Sequence, residues 1–294
     1  MKLLITGAKG QVGSELVEEA NLREYEVYGY SSKELDITNQ TQLKSTIASV
    51  TPDVVINAAA YTAVDRAEEQ QDLAYAVNAA ATKNLALACK EHHIPLLHIS
   101  TDYVFDGDKT GSYTETDATK PTGVYGQTKL EGEKLLQSNW DRHIILRVSW
   151  VFGRQGNNFV KTMLRLGKDR DELNVVNDQF GAPTSARSIA LCLLDIVACS
   201  QFGQDDFPWG LYHLQSDPGV TWYEFAQEIF HQAYQLKLLD KHVIVNPITS
   251  SEYPTPVKRP GNSKLDGTHL FNVFGLKPAH WKSDLNVMLD KLKK

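Results

Sequence analysis

Tyr125 and Lys129 stand four positions apart in the run Tyr125-Gly126-Gln127-Thr128-Lys129. Residues four apart on a helix share a face, so the two side chains are expected to point into one space. A free phenol titrates near ~10, and an adjacent ammonium favours its charged form and lowers that value. Such a pair can donate and recover a proton near neutral pH, as reduction of a ketone to an alcohol requires. The chain holds 12 tyrosines, and Tyr125 is the only one with a lysine four positions later.

A second constellation opens the chain. The apolar run Lys2-Leu3-Leu4-Ile5 reads as a buried strand. Thr6-Gly7-Ala8-Lys9-Gly10-Gln11-Val12-Gly13 follows it, and Ser14-Glu15-Leu16-Val17 reads as the start of a helix. A strand, a glycine turn and a helix N-terminus offer free backbone N–H groups and a positive dipole end to a phosphate. Glycines remove side chains where a pyrophosphate approaches and where helix and strand pack closely. An ordinary tight turn would not need all three.

These groups need a scaffold, and the first half of the chain supplies one. Strands are expected over 26–30, 53–57, 95–100 and 143–149, with helices over 39–49, 73–92 and 124–137. Such alternation implies a parallel, doubly wound sheet with both faces covered. Ligands of such sheets bind beyond the carboxyl ends of the strands, where Gly7, Ala59 and Thr101 are expected. Further on, a helix over 186–200 and a strand over 210–214 suit the same sheet, and 222–236 reads as a helix. The stretch 249–263 is proline-rich and aperiodic. Residues 1–150 and about 184–220 are therefore expected to form a dinucleotide-binding domain. About 151–183 and 221–294 would form a smaller, discontinuous substrate-binding lobe sharing a cleft with it.

Several longer blocks run across nearly the whole sequence. They are Asn57-Ala58-Ala59-Ala60-Tyr61-Thr62-Ala63-Val64-Asp65, Ser100-Thr101-Asp102-Tyr103-Val104-Phe105 and Gly156-Asn157-Asn158-Phe159. Asn177-Asp178-Gln179-Phe180-Gly181-Ala182-Pro183-Thr184, Tyr253-Pro254-Thr255-Pro256 and Arg259-Pro260-Gly261-Asn262-Ser263 follow. With the glycine spacing and the Tyr125/Lys129 pair, they resemble the extended short-chain dehydrogenase/reductase family, and within it the reductases of dTDP-linked 4-keto sugars. The resemblance implies a Rossmann-type fold and NAD(P)H-dependent reduction of the C4 ketone of a dTDP-4-keto-6-deoxy sugar. Tyr125 would protonate the developing alkoxide. Lys129 would lower the tyrosine pKa and bond the nicotinamide ribose, and Thr101 would hydrogen-bond the ketone oxygen. Gly7, Gly10, Gln11, Val12 and Gly13, with Ala58, Ala59, Ala60, Tyr61 and Thr62, would line the cofactor. Asp36-Ile37 looks like the family's pair beside the adenine, or else Asp36 is a helix-entry carboxylate before Thr38. Asp102 and Trp150 align with substrate-contact positions, although Trp150 can equally be core. Lys258 and Arg259 offer charge for a diphosphate, Arg259 as a bidentate fork. Asn177 and Gln179 offer amides. Each of these four can instead be a surface or loop-fixing residue.

Cofactor choice is argued from the second strand, which runs out into Tyr30-Ser31-Ser32-Lys33 with no acid at that point. Sites specific for NAD place Asp or Glu there to hold the ribose hydroxyls. The hydroxyl of Ser31 and the ammonium of Lys33 favour a 2′-phosphate, so NADPH is expected, with NADH possible. Lys33 can also be a plain surface lysine.

Composition narrows the class without choosing the reaction. With 30 basic and 36 acidic residues the net charge is -6, which argues against nucleic acid as a partner. No apolar run approaches the ~20 residues of a membrane span, and Met1 leads directly into a core strand, so a signal peptide is not expected. Cys89, Cys192 and Cys199 form no CxxC pair and fit buried thiols in a reducing cytosol. No metal is expected. His92 and His93 are adjacent and diverge on a helix. Some members of the resembled family are metal-bridged dimers, but Glu15 alone is no coordination sphere, and Arg187 stands where a second acid is wanted. Monomer and homodimer both stay open. Two other readings are an epimerase or dehydratase of the same family, and a non-catalytic nucleotide-binding regulatory subunit. A dehydratase is expected to carry an Asp-Glu pair after Thr101, where this chain has Asp102-Tyr103. Joint retention of Thr101, Tyr125 and Lys129 speaks against a regulator.

Overall fold

Leu3, Leu4 and Ile5 are fully buried, yet they belong to two different cores. Successive strand residues point to opposite faces, and a parallel sheet covered on both sides must be apolar on both. The computed structural model, which describes residues 1–293, realises this in strand β1 (Lys2–Thr6). Strands β2 (Glu26–Tyr30), β3 (Val54–Asn57), β4 (Leu96–Thr101) and β5 (His143–Val148) join it, with a sixth strand at Gly210–Leu214. All pairings in this sheet are parallel, in the order Gly210–Leu214, β5, β4, β3, β1, β2. Strand order reverses between β1 and β3, where a doubly wound sheet opens its ligand crevice.

One face carries Leu3, Ile5, Val54, Ile56 and Leu97 against helices α1 (Gln11–Leu22) and Ala186–Val197. The other carries Leu4, Val55, Leu96 and Ile145 against helices Gln40–Val50, Ala81–Glu91 and Val124–Asn139. Helix starts follow local chemistry. Asn39 accepts from Gln42 N at 3.1 Å, Ser185 accepts from Ser188 N at 2.9 Å, and Thr221 forms a capping box with Glu224.

A third core gathers Phe152, Val160, Met163, Leu173, Phe225, Ile229, Trp281 and Leu285. It is built by helices Phe159–Asp169, Trp222–Gln235 and Trp281–Lys291, with the parallel pair Glu172–Val176 and Ile244–Ile248. Helix Thr268–Phe274, although it falls in the stretch expected to build the second lobe, sends Leu270 and Phe274 into the first core.

The continuous helix expected over 73–92 is not continuous. A π-helical turn, Ala76–Ala80, separates Gln71–Tyr75 from Ala81–Glu91. Asn78 in that turn points inward. Its amide accepts from Tyr61 N at 2.9 Å and donates to Tyr61 O and Thr128 Oγ1, both at 3.1 Å.

Candidate active site

The glycine turn has the shape of a phosphate cradle. Gly7 adopts φ +70°, and a Cβ there would lie 2.6 Å from Ala59 N. A Cβ at Gly13 would lie 2.1 Å from the Gly7 carbonyl oxygen. Gly10 N donates to that same oxygen at 2.8 Å, and no side chain caps α1. The first N–H groups of α1 are thus left for a ligand. Val12 is buried and Gln11 is held by Asn158 Nδ2 at 2.9 Å. Across the crevice, Ala58, Ala59, Ala60 and Tyr61 are half-buried and Thr62 is exposed. The backbone and residue types in this crevice therefore fit a dinucleotide.

At the far end of β2 the expectation of no acid is corrected. Glu34 folds back, so that its Oε2 accepts from Ser31 N at 2.9 Å and Ser31 Oγ at 2.6 Å. Its other oxygen lies 4.0 Å from Lys9 Nζ. The Ser31 hydroxyl is thus buried and already engaged, while Lys33 is exposed. Asp36 holds Thr38, accepting from its N at 2.9 Å and its Oγ1 at 2.7 Å, and Ile37 is buried beside it.

Thr101 ends β4 and caps the short 3₁₀ turn Asp102–Val104, its Oγ1 accepting from Tyr103 N at 3.2 Å and donating to Asp102 Oδ1 at 3.0 Å. Helix Val124–Asn139 packs against this turn so closely that a Cβ at Gly126 would lie 2.1 Å from Tyr103 O. Tyr125 is thereby held on the Thr101 side of the helix, and its ring stands edge-on to Tyr103 at 5.4 Å.

The expected action of Lys129 on Tyr125 is not what the geometry shows. Lys129 Nζ donates to the Ile99 carbonyl at 2.7 Å and lies 3.2 Å from His98 Nε2, turned to β4 rather than to the phenol. Burial drives the Tyr125 pKa upward, with the Thr101 hydroxyl pulling it down, and Lys129 has no part in the shift. Burial also lowers Lys129 to about 8. Asp102 is raised to about 6 by burial, and its buried Oδ2 has no hydrogen-bond partner among the described residues.

The expected substrate residues divide. Arg259 and Gln179 line a cavity of about 740 Å³, together with Asp65, Phe159, Trp222 and Tyr253. Arg259 Nη2 donates to Asp65 Oδ2 at 2.6 Å, and its charge also lowers a Tyr103 phenol that burial has pushed to about 12. It thus links the cavity to the ring beside Tyr125. Gln179 Nε2 donates to Ser250 Oγ at 2.9 Å, whereas Asn177 Oδ1 is held by Thr221 Oγ1 at 2.8 Å. Trp150 stacks on Trp222 with centroids 3.5 Å apart, its backbone at φ 47°. Lys258 does not join them. It is exposed, 3.9 Å from Asp108, and does not line the cavity.

Four residues around the site escaped the sequence reading: Asn78, Glu34, Tyr103 and Trp222. Asn78 had no signal short of the π turn. Glu34 lies three residues beyond Ser31, within reach of a turn that brings it back.

Comparison with known proteins then fills in the chemistry. The family model described as RmlD substrate binding domain matches residues 1–294. The curated dTDP-4-dehydrorhamnose reductase of Aggregatibacter actinomycetemcomitans is 48% identical over 285 residues, 97% of each chain. A solved dTDP-4-dehydrorhamnose reductase from Clostridium acetobutylicum superposes with a TM-score of 0.91 at 41% identity, over 100% of both chains. One from Bacillus anthracis, solved in complex with NADP, gives 0.90 at 36% identity over 99% of each.

Proposed function

We infer the reaction from kinship: this chain belongs to the family described as RmlD substrate binding domain, whose curated relatives include dTDP-4-dehydrorhamnose reductases. It is an NADPH-dependent oxidoreductase that reduces the C4 ketone of dTDP-4-dehydro-β-L-rhamnose to dTDP-L-rhamnose, the last step of dTDP-rhamnose biosynthesis. One observation carries the reading on this chain's own residues: the glycine cradle follows β1, Thr101 ends β4, and the helix of Tyr125 packs on the turn after it, at the carboxyl ends of the same sheet.

When bound, NADPH supplies a hydride to the ketone carbon. The residues here do the rest. Gly7, Gly10 and Gly13 clear the backbone for a pyrophosphate, and the α1 N-terminus faces it. Tyr125 gives its proton to the alkoxide oxygen as that charge develops. Thr101 orients the ketone oxygen by a hydroxyl hydrogen bond. Asp102, Trp150, Asn177, Gln179 and Arg259 are the substrate side. Arg259 would leave Asp65 to take the diphosphate, and the aromatic wall of Trp222 and Tyr253 offers a flat surface for the base. The division of labour follows the packing, with the sheet and its two cores holding the cofactor and the third core carrying the sugar nucleotide.

Among the described residues no helix is long and apolar enough to cross a membrane. A cytoplasmic location suits a nucleotide-sugar substrate, the Cys89 and Cys192 thiols being buried and unpaired. The test is direct. Purified protein with dTDP-4-dehydro-β-L-rhamnose should oxidise NADPH and yield dTDP-L-rhamnose, with NADH compared in parallel. No oxidation of either cofactor would refute the assignment.

A further inference from the structure

Thr6, Asn57, His98 and Lys129 form a polar thread through the sheet, each only 1% exposed. Thr6 Oγ1 donates to Asn57 Oδ1 at 2.6 Å, and Asn57 Nδ2 lies 2.9 Å from His98 Nδ1. His98 Nε2 then lies 3.2 Å from Lys129 Nζ. Of the four, only Lys129 was expected from the sequence to take part in the reaction, at the nicotinamide ribose.

Donor and acceptor roles along the thread can be fixed. Ala59 N–H can only donate, and it faces Asn57 Oδ1 at 3.2 Å. Flipping the Asn57 amide would set two donors against each other, so Nδ2 is the group that faces His98. His98 Nδ1 must then be bare, and the neutral ring carries its proton on Nε2, aimed at Lys129. An ammonium has three donors and no acceptor. The contact therefore closes only with Lys129 as a neutral amine, accepting from His98 Nε2–H while donating to the Ile99 carbonyl at 2.7 Å.

We propose that His98 is a positioning residue that holds Lys129 on β4 whenever the lysine is a neutral amine, with its tautomer set by Asn57. Protonation of Lys129 then releases it from His98 toward the reacting centre. That catalytic consequence rests on the reductase reading, whereas the neutral-amine contact does not. Burial lowers Lys129 to about 8 and His98 well below the usual histidine range, and a charged Lys129 pushes His98 down as well. Of the charged neighbours, Glu133 on the same helix raises the lysine's pKa. Its carboxylate is committed to Arg147 on β5, by contacts of 2.9 and 2.6 Å. His143, also on β5, pushes His98 further down, and Tyr125 lies one turn back on the lysine's helix.

The test is the His98 tautomer, read by nitrogen NMR on the full chain with labelled histidine. The expected pattern is a protonated Nε2 and a bare Nδ1 at about pH 9, above the lysine's pKa of about 8, where Lys129 is the amine that accepts from it. Asn57→Asp, which offers Nδ1 an acceptor, should move the proton to Nδ1 and leave Nε2 to accept from a lysine ammonium. The tautomer is the deciding readout, because a new carboxylate would raise the lysine's pKa through space in either case. An Nδ1-protonated ring in the wild type, or the same tautomer in both proteins, overturns the proposal and leaves the reductase reading standing. Should Asn57→Asp not fold, the wild-type tautomer decides alone.

Discussion

Burial keeps the Tyr125 phenol protonated at neutral pH, the state a proton donor must hold before it acts. Tyr125→Phe should therefore cut turnover by about 10²–10⁴, the usual worth of a positioned general acid, while cofactor affinity holds. Single-turnover NADPH oxidation and a fluorescence titration check the two halves. Asp102 makes a separate prediction. Its folded pKa of about 6 lies above the ordinary 3.8, so the native state binds the proton first as pH falls. Stability should then rise as pH drops from about 6 to 4, by up to ~3 kcal/mol at 1.36 kcal/mol per unit, and change little above that window. In Asp102→Asn this contribution should vanish, as denaturant melts at several pH values would reveal. At this scale the sequence was legible in the glycine turn, where a Cβ at Gly7 or Gly13 would strike the backbone. It misled at Lys129, since four-residue spacing places two side chains on one face without saying which neighbour the longer one chooses. The buried acceptors on β4 settle that choice.

The helix carrying Tyr125 is registered by a glycine. At Gly126 any Cβ would lie 2.1 Å from a backbone oxygen, so Gly126→Ala must move the helix away from Thr101. Overpacking of this kind costs about 1–3 kcal/mol, and turnover should fall more than the Michaelis constant for the sugar rises. Wild-type kinetics in a variant that melts earlier would separate fold from site. Elements with one strong period were readable: the Glu26–Tyr30 and Gly210–Leu214 strands fall where expected. Others were hidden for identifiable reasons. Ile244–Ile248 contains Pro247, which argues against a strand unless, as here, it pairs on one side only. The π turn at Ala76–Ala80 inserts one residue into an otherwise regular apolar pattern, and only the partners of Asn78 explain it.

For the molecule as a whole, the parallel sheet was foreseeable from alternation and a discontinuous second lobe was expected, but the strand order and the strand pair of the third core were not, since those strands come from short, scattered stretches. Arg259 shows how the two parts meet. It reaches Asp65, just beyond β3, from the proline-rich stretch near the chain's end. Arg259→Ala should weaken dTDP binding about 10- to 150-fold, the equivalent of about 1.5–3 kcal/mol, and leave NADPH binding alone. Calorimetry with dTDP decides it, and unchanged affinity would reduce Arg259 to a structural partner of Asp65. The most direct test of the proposed reaction follows the hydride itself. NADPH deuterated on the transferred position of nicotinamide C4 should give dTDP-L-rhamnose with one deuterium, at sugar C4, as read by NMR. Product lacking deuterium there, or carrying it at another carbon, would contradict hydride delivery to the C4 ketone.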